Sequence, residues 1–382
     1  MTVYIDFIST LKILGSIAIF TGGTNYAKYI TSALNSHCKG KIPIKLLLPE
    51  NASISDSIDV GPLEQVKVKN LLEVNYEEGD ILFLPQVNGS LLVKLPKIRK
   101  KYPFLKIYGT LHDRQHNIIK YDSLDYTFDE SLKKKYKLFS FIYYLVKKKC
   151  FNLVYDKNVK ALDKVFTVSN YSLQLLDSPN IAFIKYYIQG CYTTISYPIN
   201  NGNYILFVGG NRGEKNLIRG LLAFRKFKKM QKSSLQLKVT GISEKLKSKI
   251  SRIINLEDDI ILMPYVSDEE LSLLYSNCRY VAFLSRAEGY GCPVREALQY
   301  GKVVLASRTT SVPEVAGAAI YYINPYSVDS ITSGMVYLSN DQNLKRYQEY
   351  INERKMILDR IAQQDLKIFI DDFFDCNYSA PL

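Results

Sequence analysis

Glu288-Gly289-Tyr290-Gly291-Cys292-Pro293-Val294-Arg295-Glu296-Ala297-Leu298 stands between two apolar runs, Tyr280 to Ser285 and Val303 to Ser307. The runs have the length and composition of buried strands, and Gly301 closes the helical segment that follows the glycines. Strand, glycine-rich turn, helix and strand in this order are the repeat of an open parallel α/β sheet. One carboxylate, Glu288, lies in the turn, and a second, Glu296, lies on the first turns of the helix. Carboxylate oxygens so placed can each grip a pair of sugar hydroxyls, while Gly289 and Gly291 offer backbone N–H groups to phosphate. The spacing alone equally allows a solvated Glu288 and a Glu296 that complements the helix dipole.

Upstream, Phe207-Val208-Gly209-Gly210-Asn211-Arg212-Gly213-Glu214-Lys215-Asn216-Leu217 repeats the design. A strand, Tyr204 to Val208, opens into glycines, and a helix over 216–230 begins at once. Glycines let the backbone approach a diphosphate, and the helix start adds free N–H groups and a positive dipole end. Lys215 and Arg212 can supply full charges to a departing phosphate. A plain turn with surface cations is the competing reading, and the segment is neither a Walker A loop nor a G-x-G-x-x-G fingerprint.

Further strands are expected at Leu235 to Thr240, Ile260 to Pro264 and Ala319 to Ile323, with final helices at 343–361 and 366–374. Toward the N-terminus the same alternation predicts strands at 3–8, 44–48, 81–84, 106–111 and 164–168. A helix is expected over 26–34 after the loop Thr21 to Asn25, and another from an N-cap at Ser169 to Leu176. The turn-rich stretch around Tyr197 to Asn203 reads as a linker. The resulting division is an N-terminal domain 1–190, a linker 191–203, a C-terminal domain 204–365, and a last helix 366–382 that crosses back to the first domain.

The 382 residues are too many for one ordinary core, which agrees with two domains. Six dispersed cysteines without a C-x-x-C pair suit reduced thiols, and three histidines leave little for a His-rich metal centre. Ile13 to Phe20 imitates a signal-peptide core but lacks a basic start and a cleavage site, so a cytoplasmic location is expected. A net charge of +13 favours anionic partners. Basic residues cluster at Lys97 to Lys101, Lys133 to Lys137 and Lys147 to Lys149. The segment 133–149, read as a basic amphipathic helix, suits peripheral attachment to an anionic membrane on its inner face. The clusters lack aromatic interleaving and a duplex-reading motif, which argues against nucleic acid.

The phrase from Glu288 to Glu296 resembles the E-G-F-G-x-P-x-x-E-A signature of glycosyltransferase family 4. Tyr265 to Tyr275, Gly301 to Ser307 and Ser311 to Gly317 are similar to the stretches flanking that signature, and Gly209 to Asn216 to the family's phosphate loop. More loosely, Gly22-Gly23 resembles an early glycine loop facing the donor, Leu111-His112-Asp113 a strand-ending His-Asp pair, and Val168 to Ser172 a helix start. The resemblance implies an α/β GT-B fold, two Rossmann-like domains whose parallel sheets face a central cleft. It implies a retaining transfer from a nucleotide diphosphate sugar to a glycan or lipid-linked glycan, as in cell-surface polysaccharide synthesis.

Under that resemblance Glu296 would bond the ribose hydroxyls and Glu288 those of the transferred sugar. Lys215, with Arg212, would neutralise the leaving diphosphate, and His112 would orient the sugar or support its developing charge. The donor would also meet Gly22, Gly23, Gly209, Gly210, Asn216, Tyr265, Gly289, Tyr290, Gly291 and Cys292. No D-x-D triplet occurs, so no metal and no cofactor are expected. The chain departs from the family at Glu214 and Gly210, where Arg is usual, and at Tyr290 and Cys292. A non-catalytic scaffold of the same fold, a transferase acting on DNA, and a phosphorylase or epimerase are the alternatives.

Overall fold

The computed structural model describes residues 1–14, 17–19, 22–50, 52, 63–112, 137–176, 184–186, 197–210, 212–252 and 258–375. The chain forms two compact units. The first comprises Met1–Arg114, Lys147–Tyr192 and Asp359–Leu382, and the second Gln115–Val146 and Thr193–Leu358.

The first unit is built on strands β1 (Val3–Asp6), β4 (Ile44–Pro49), β5 (Glu64–Val68), β6 (Ile81–Leu84), β7 (Lys106–Thr110), β8 (Lys164–Thr167) and β9 (Ile184–Tyr186). All pair in parallel, in the order β5-β4-β1-β6-β7-β8-β9. Every residue of β1 and β6 is buried, as expected for central strands covered on both faces. Between β1 and the first helix, Gly22–Cys38, a small antiparallel hairpin pairs β2 (Lys12–Leu14) with β3 (Ile17–Ile19). The apolar stretch that imitates a signal core is therefore partly a hairpin.

The second unit holds β10 (Tyr204–Phe207), β11 (Gln236–Val239), β12 (Ile260–Leu262), β13 (Tyr280–Phe283), β14 (Val304–Ser307) and β15 (Tyr321–Ile323). These too are all parallel, ordered β12-β11-β10-β13-β14-β15. The order reverses between β10 and β13. Crevices at such reversals, beyond the carboxyl ends of the strands, are where open α/β sheets hold ligands.

The expected helices 343–361 and 366–374 are instead one short helix, Asp341–Lys345, and one long helix, Gln348–Phe373. Nothing between 361 and 366 breaks a helix: Ala362-Gln363-Gln364-Asp365 contains no Pro or Gly. The boundary between the units falls within it, at 358/359. Its first half donates from Arg354 Nε to the Val315 carbonyl at 2.8 Å, within the second unit. Its last turns place Phe369 and Phe373 against Phe83, Phe166 and Tyr108 of the first. The stretch read as a linker is anchored to the second unit: Asn200 N–H donates to the Ser276 carbonyl and Gly202 N–H to that of Asn277, both at 2.9 Å.

Two residues of the basic cluster at 97–101 serve the fold. Arg99 bonds the carbonyls of Leu105 (2.6 Å) and Ala161 (2.9 Å) and meets Asp163 at 2.5 Å, while Lys101 donates to the Leu72 carbonyl. The segment 133–149 is helical from Lys137, within Lys137–Asn158, and carries exposed Ile142, Leu145 and Val146; residues 133–136 lie outside the described residues. No helix among the described residues is long and apolar enough to cross a membrane.

Candidate functional site

The two glycine-bearing turns singled out in the sequence follow β10 and β13, the strands that flank the reversal in the second unit. The first turn leaves β10 with Gly209 at φ +77°, a left-handed backbone that suits glycine. Gly210 is needed for room: a Cβ there would lie 2.7 Å from Ile242 Cδ1 and 2.9 Å from Val239 Cγ1. A single 3₁₀ turn, Gly213–Lys215, carries the chain to Asn216, again left-handed at φ +65°. From there the helix Leu217–Gln231 begins.

Asn216 works as a brace. Its Nδ2 donates to the Leu284 carbonyl at 3.2 Å and the Pro325 carbonyl at 2.7 Å, fixing the first turn to the ends of β13 and β15. The second turn reaches back. Arg286 N–H donates to the Glu214 carbonyl at 2.9 Å, and Arg286 Nη2 to that of Gly213 at 3.3 Å. Beyond it, Glu288 N–H donates to Thr310 Oγ1 at 3.0 Å, and Ser311 Oγ donates to the carbonyls of Glu288 (3.1 Å) and Tyr290 (2.9 Å). Thr310 holds a left-handed φ of +51°, a costly backbone for a β-branched residue.

These braces set Lys215 and Glu288 against one another. Lys215 Nζ lies 2.6 Å from Glu288 Oε1, with the side chains only 8% and 9% exposed. The ammonium also sits 5.1 Å above the Phe283 ring. Glu296 projects from the helix Cys292–Gln299, whose N-cap Gly291 has φ +100° and no capping side chain. Enclosure raises the Glu296 carboxyl pKa; a hydrogen bond from Tyr275 Oη to Oε2 (2.7 Å) and the Lys215 charge act the other way, while Asp268 adds to the rise. The ends of β10 and β13 thus bring together a lysine and two carboxylates, groups able to meet an anion and hydroxyls. The amides of the first turn are held within the fold, Gly210 N–H by the Thr240 carbonyl (3.0 Å) and Gly209 N–H by Thr240 Oγ1 (3.4 Å).

The remaining predicted residues are placed differently. Arg212 is 55% exposed and its Nε meets the loop's own Glu214 at 2.9 Å, as Lys215 meets Glu288 at 2.6 Å. Tyr290 is buried and Cys292 half-buried at the helix start, next to the turn that also includes Gly289. Tyr265 is half-exposed, three residues past β12.

Gly22, Gly23 and His112 belong to the first unit. Gly22 and Gly23 are the opening residues of a helix and not a loop before one. Gly23 is small for a reason: a Cβ there would meet Gln86 Oε1 at 2.2 Å. His112 Nε2 is 2.9 Å from the Pro85 carbonyl, which can only accept, so that nitrogen carries the proton and Nδ1 is the acceptor of the neutral ring. Burial lowers the His112 pKa, with the Pro85 bond opposing it, and the ring edge meets Tyr26 at 5.0 Å. The neutral imidazole can orient a hydroxyl; it supplies no cation. Asp113 lies outside the described residues.

Sequence reasoning missed Tyr275, Arg286, Thr310 and Ser311. Tyr275 and Ser311 fall inside stretches read as strand, helix or flank, and residue type alone gives no sign that they serve the carboxylates.

Residues 196–355 match the family model described as glycosyl transferases group 1. Over 144 residues the chain is 31% identical to the O-antigen chain mannosyltransferase B of Escherichia coli, covering 37% of this chain and 38% of that protein. The chain thus spans well under half the length of this curated relative. Among solved structures, it is similar to a sucrose-phosphate synthase from Thermosynechococcus elongatus, with a TM-score of 0.66, 12% identity, and 98% and 99% of the two chains covered. An Anabaena protein, HepE, in complex with UDP and glucose gives a TM-score of 0.63 at 12% identity, covering 98% of each chain. At such identities the likeness concerns the fold, and it is that of GT-B proteins, built from two Rossmann-like units.

Proposed function

We propose that this chain, whose residues 196–355 form a glycosyl transferases group 1 domain, moves a sugar from a nucleotide diphosphate donor to a glycan acceptor. One observation carries the reading. Lys215 and Glu288 come from different turns, 73 residues apart in sequence, and meet at 2.6 Å at the strand-order reversal. A cation for the departing diphosphate and an acceptor for sugar hydroxyls are thereby adjacent, as a glycosyl donor's neighbouring phosphate and sugar require.

Lys215 neutralises charge on the leaving phosphate, and Glu288 fixes the sugar; the expected amide donors of the first turn are engaged, Gly210 N–H with the Thr240 carbonyl at 3.0 Å and Gly209 N–H with Thr240 Oγ1 at 3.4 Å. Glu296 takes the ribose. The sequence offers no D-x-D triplet to hold a metal, and in this reading the transfer proceeds without a metal ion. The resemblance to glycosyltransferase family 4 favours same-face attack and retention at the anomeric carbon.

The similarity to an O-antigen mannosyltransferase makes a nucleotide diphosphate mannose the first donor, and a lipid-linked surface glycan the acceptor class. The exposed Ile142, Leu145 and Val146, followed by Lys147 to Lys149, fit binding to an anionic leaflet. Replacing Lys133, Lys134, Lys147 and Lys148 by Gln then releases the protein from anionic liposomes; unchanged co-sedimentation contradicts this part.

The test of function is turnover of a panel of nucleotide sugars with lipid-linked acceptors, in buffer containing EDTA. The wild-type chain should form an anomer-retained product, and Glu288→Ala should form none while keeping its circular dichroism spectrum. Equal turnover by both proteins overturns the assignment.

A further inference from the structure

Tyr275 lies in the helix Asp268–Asn277, which starts with a full capping box: Ser267 Oγ accepts from Glu270 N–H, and the Glu270 carboxylate accepts from Ser267 N–H. That cap fixes the helix end-on. The Tyr275 ring is buried and stacks on the ring of Tyr300 at 5.4 Å, 8° from parallel. Tyr300 follows the helix that carries Glu296. The phenol oxygen therefore reaches Glu296 from a second, independently anchored element, and it donates to Oε2 at 2.7 Å. No other hydrogen bond to the Glu296 carboxylate is made among the described side chains, so Oε1 keeps its full capacity to accept.

We infer that Tyr275 is a positioning residue for the nucleotide: by occupying one oxygen of Glu296, it presents the other, in carboxylate form, to the ribose hydroxyls of the donor. This rests on the proposed glycosyl-transfer site and extends it to a residue that touches neither sugar nor phosphate. A carboxylate accepts from both hydroxyls of a ribose, whereas a protonated acid accepts less well and competes as a donor. Glu296 faces Asp268 and Tyr275 from the neighbouring helix and Lys215 from the first turn. Of these, Asp268 opposes ionisation, while Tyr275 and Lys215 favour it, with the phenol the larger of the two. Losing the phenol thus moves Glu296 further toward its protonated form.

The experiment measures calorimetric affinities for GDP and UDP, and for their 2′,3′-dideoxy analogues, between pH 5.5 and 8.5. The wild-type protein should prefer the ribose form by about tenfold or more, as expected for hydrogen bonds to a charged group. Tyr275→Phe should lose most of that preference, and the loss should deepen as pH falls across the range. Affinity for the dideoxy forms should stay within about twofold of wild type. A purely packing role would weaken both forms alike, and retention of the full preference at all pH values also overturns the inference. If Tyr275→Phe does not fold, the wild-type pH profile decides: the ribose preference must fall on acidification above the ordinary Glu range. If neither nucleotide binds the wild-type protein, it is the transferase reading that fails.

Discussion

Asp6 ends β1, beside the strand-order reversal of the first unit, and is fully buried. Its Oδ1 accepts from the N–H groups of Ile8 (2.9 Å) and Ser9 (3.2 Å), while Oδ2 has no hydrogen-bond partner among the described residues. Burial outweighs the Ser9 side-chain hydrogen bond, these backbone bonds and the Lys94 charge, and pushes the carboxyl up to about 6 from 3.8. A raised acid binds its proton more tightly in the folded chain than in the unfolded one. Its ionisation therefore costs nothing below the unfolded value, and the cost grows until pH passes the folded value. The shift of about two units corresponds to about 3 kcal/mol, of which about 2 kcal/mol develops between pH 4.5 and 7.5. Asp6→Asn keeps an oxygen for Ile8 and Ser9 and removes the titration. The difference in unfolding free energy, variant minus wild type, should thus rise by about 2 kcal/mol across that range in urea titrations. Subtracting the wild type cancels every other titrating group. A difference independent of pH would refute the reasoning, as would one that falls.

Lys302 is buried, its pKa lowered by burial, and its Nζ holds the carbonyls of Asn200 (2.6 Å) and Cys278 (2.9 Å). Lys302→Met should cost about 2–4 kcal/mol by leaving both unsatisfied, read as a lowered urea midpoint. Gly210→Ala must displace Ile242 or Val239, and thermal unfolding should show a loss of about 1–3 kcal/mol. Lys215→Ala should lower kcat by about two to three orders of magnitude. Arg212→Gln, at an exposed residue paired with Glu214, should change kcat less than about threefold, and steady-state rates on one donor compare the two directly.

Much of the second unit is legible in sequence, because parallel strands buried on both faces read as continuous apolar runs. Tyr204 to Phe207 and Tyr280 to Phe283 are such runs, and each is punctuated by a glycine turn. The β5 strand was not legible: Glu64-Gln65-Val66-Lys67-Val68 is an edge strand with one exposed face, and three of its five residues are polar. The helix Gly89–Lys101 was hidden in the same way by Pro96 within it. At the site, glycines and carboxylates announce themselves by type. Asn216 does so misleadingly, since its amide is spent on two carbonyls and its value is the left-handed backbone. Arg212 reads as a second cation because charge is visible in sequence, while its pairing with Glu214, like that of Lys215 with Glu288, shows only in the folded turns. Tyr275 acts through Glu296, and such contacts exist only once two helices are packed.

Hydrogen–deuterium exchange, followed by mass spectrometry with saturating nucleoside diphosphates and their mannose and glucose esters, probes the shared crevice directly. One nucleotide sugar should slow exchange in the peptides 208–217 and 284–300 together, with the protection in both lost in Lys215→Ala. Protection of only one of those peptides, or of neither by a ligand that demonstrably binds, would mean that the two turns do not hold a common donor.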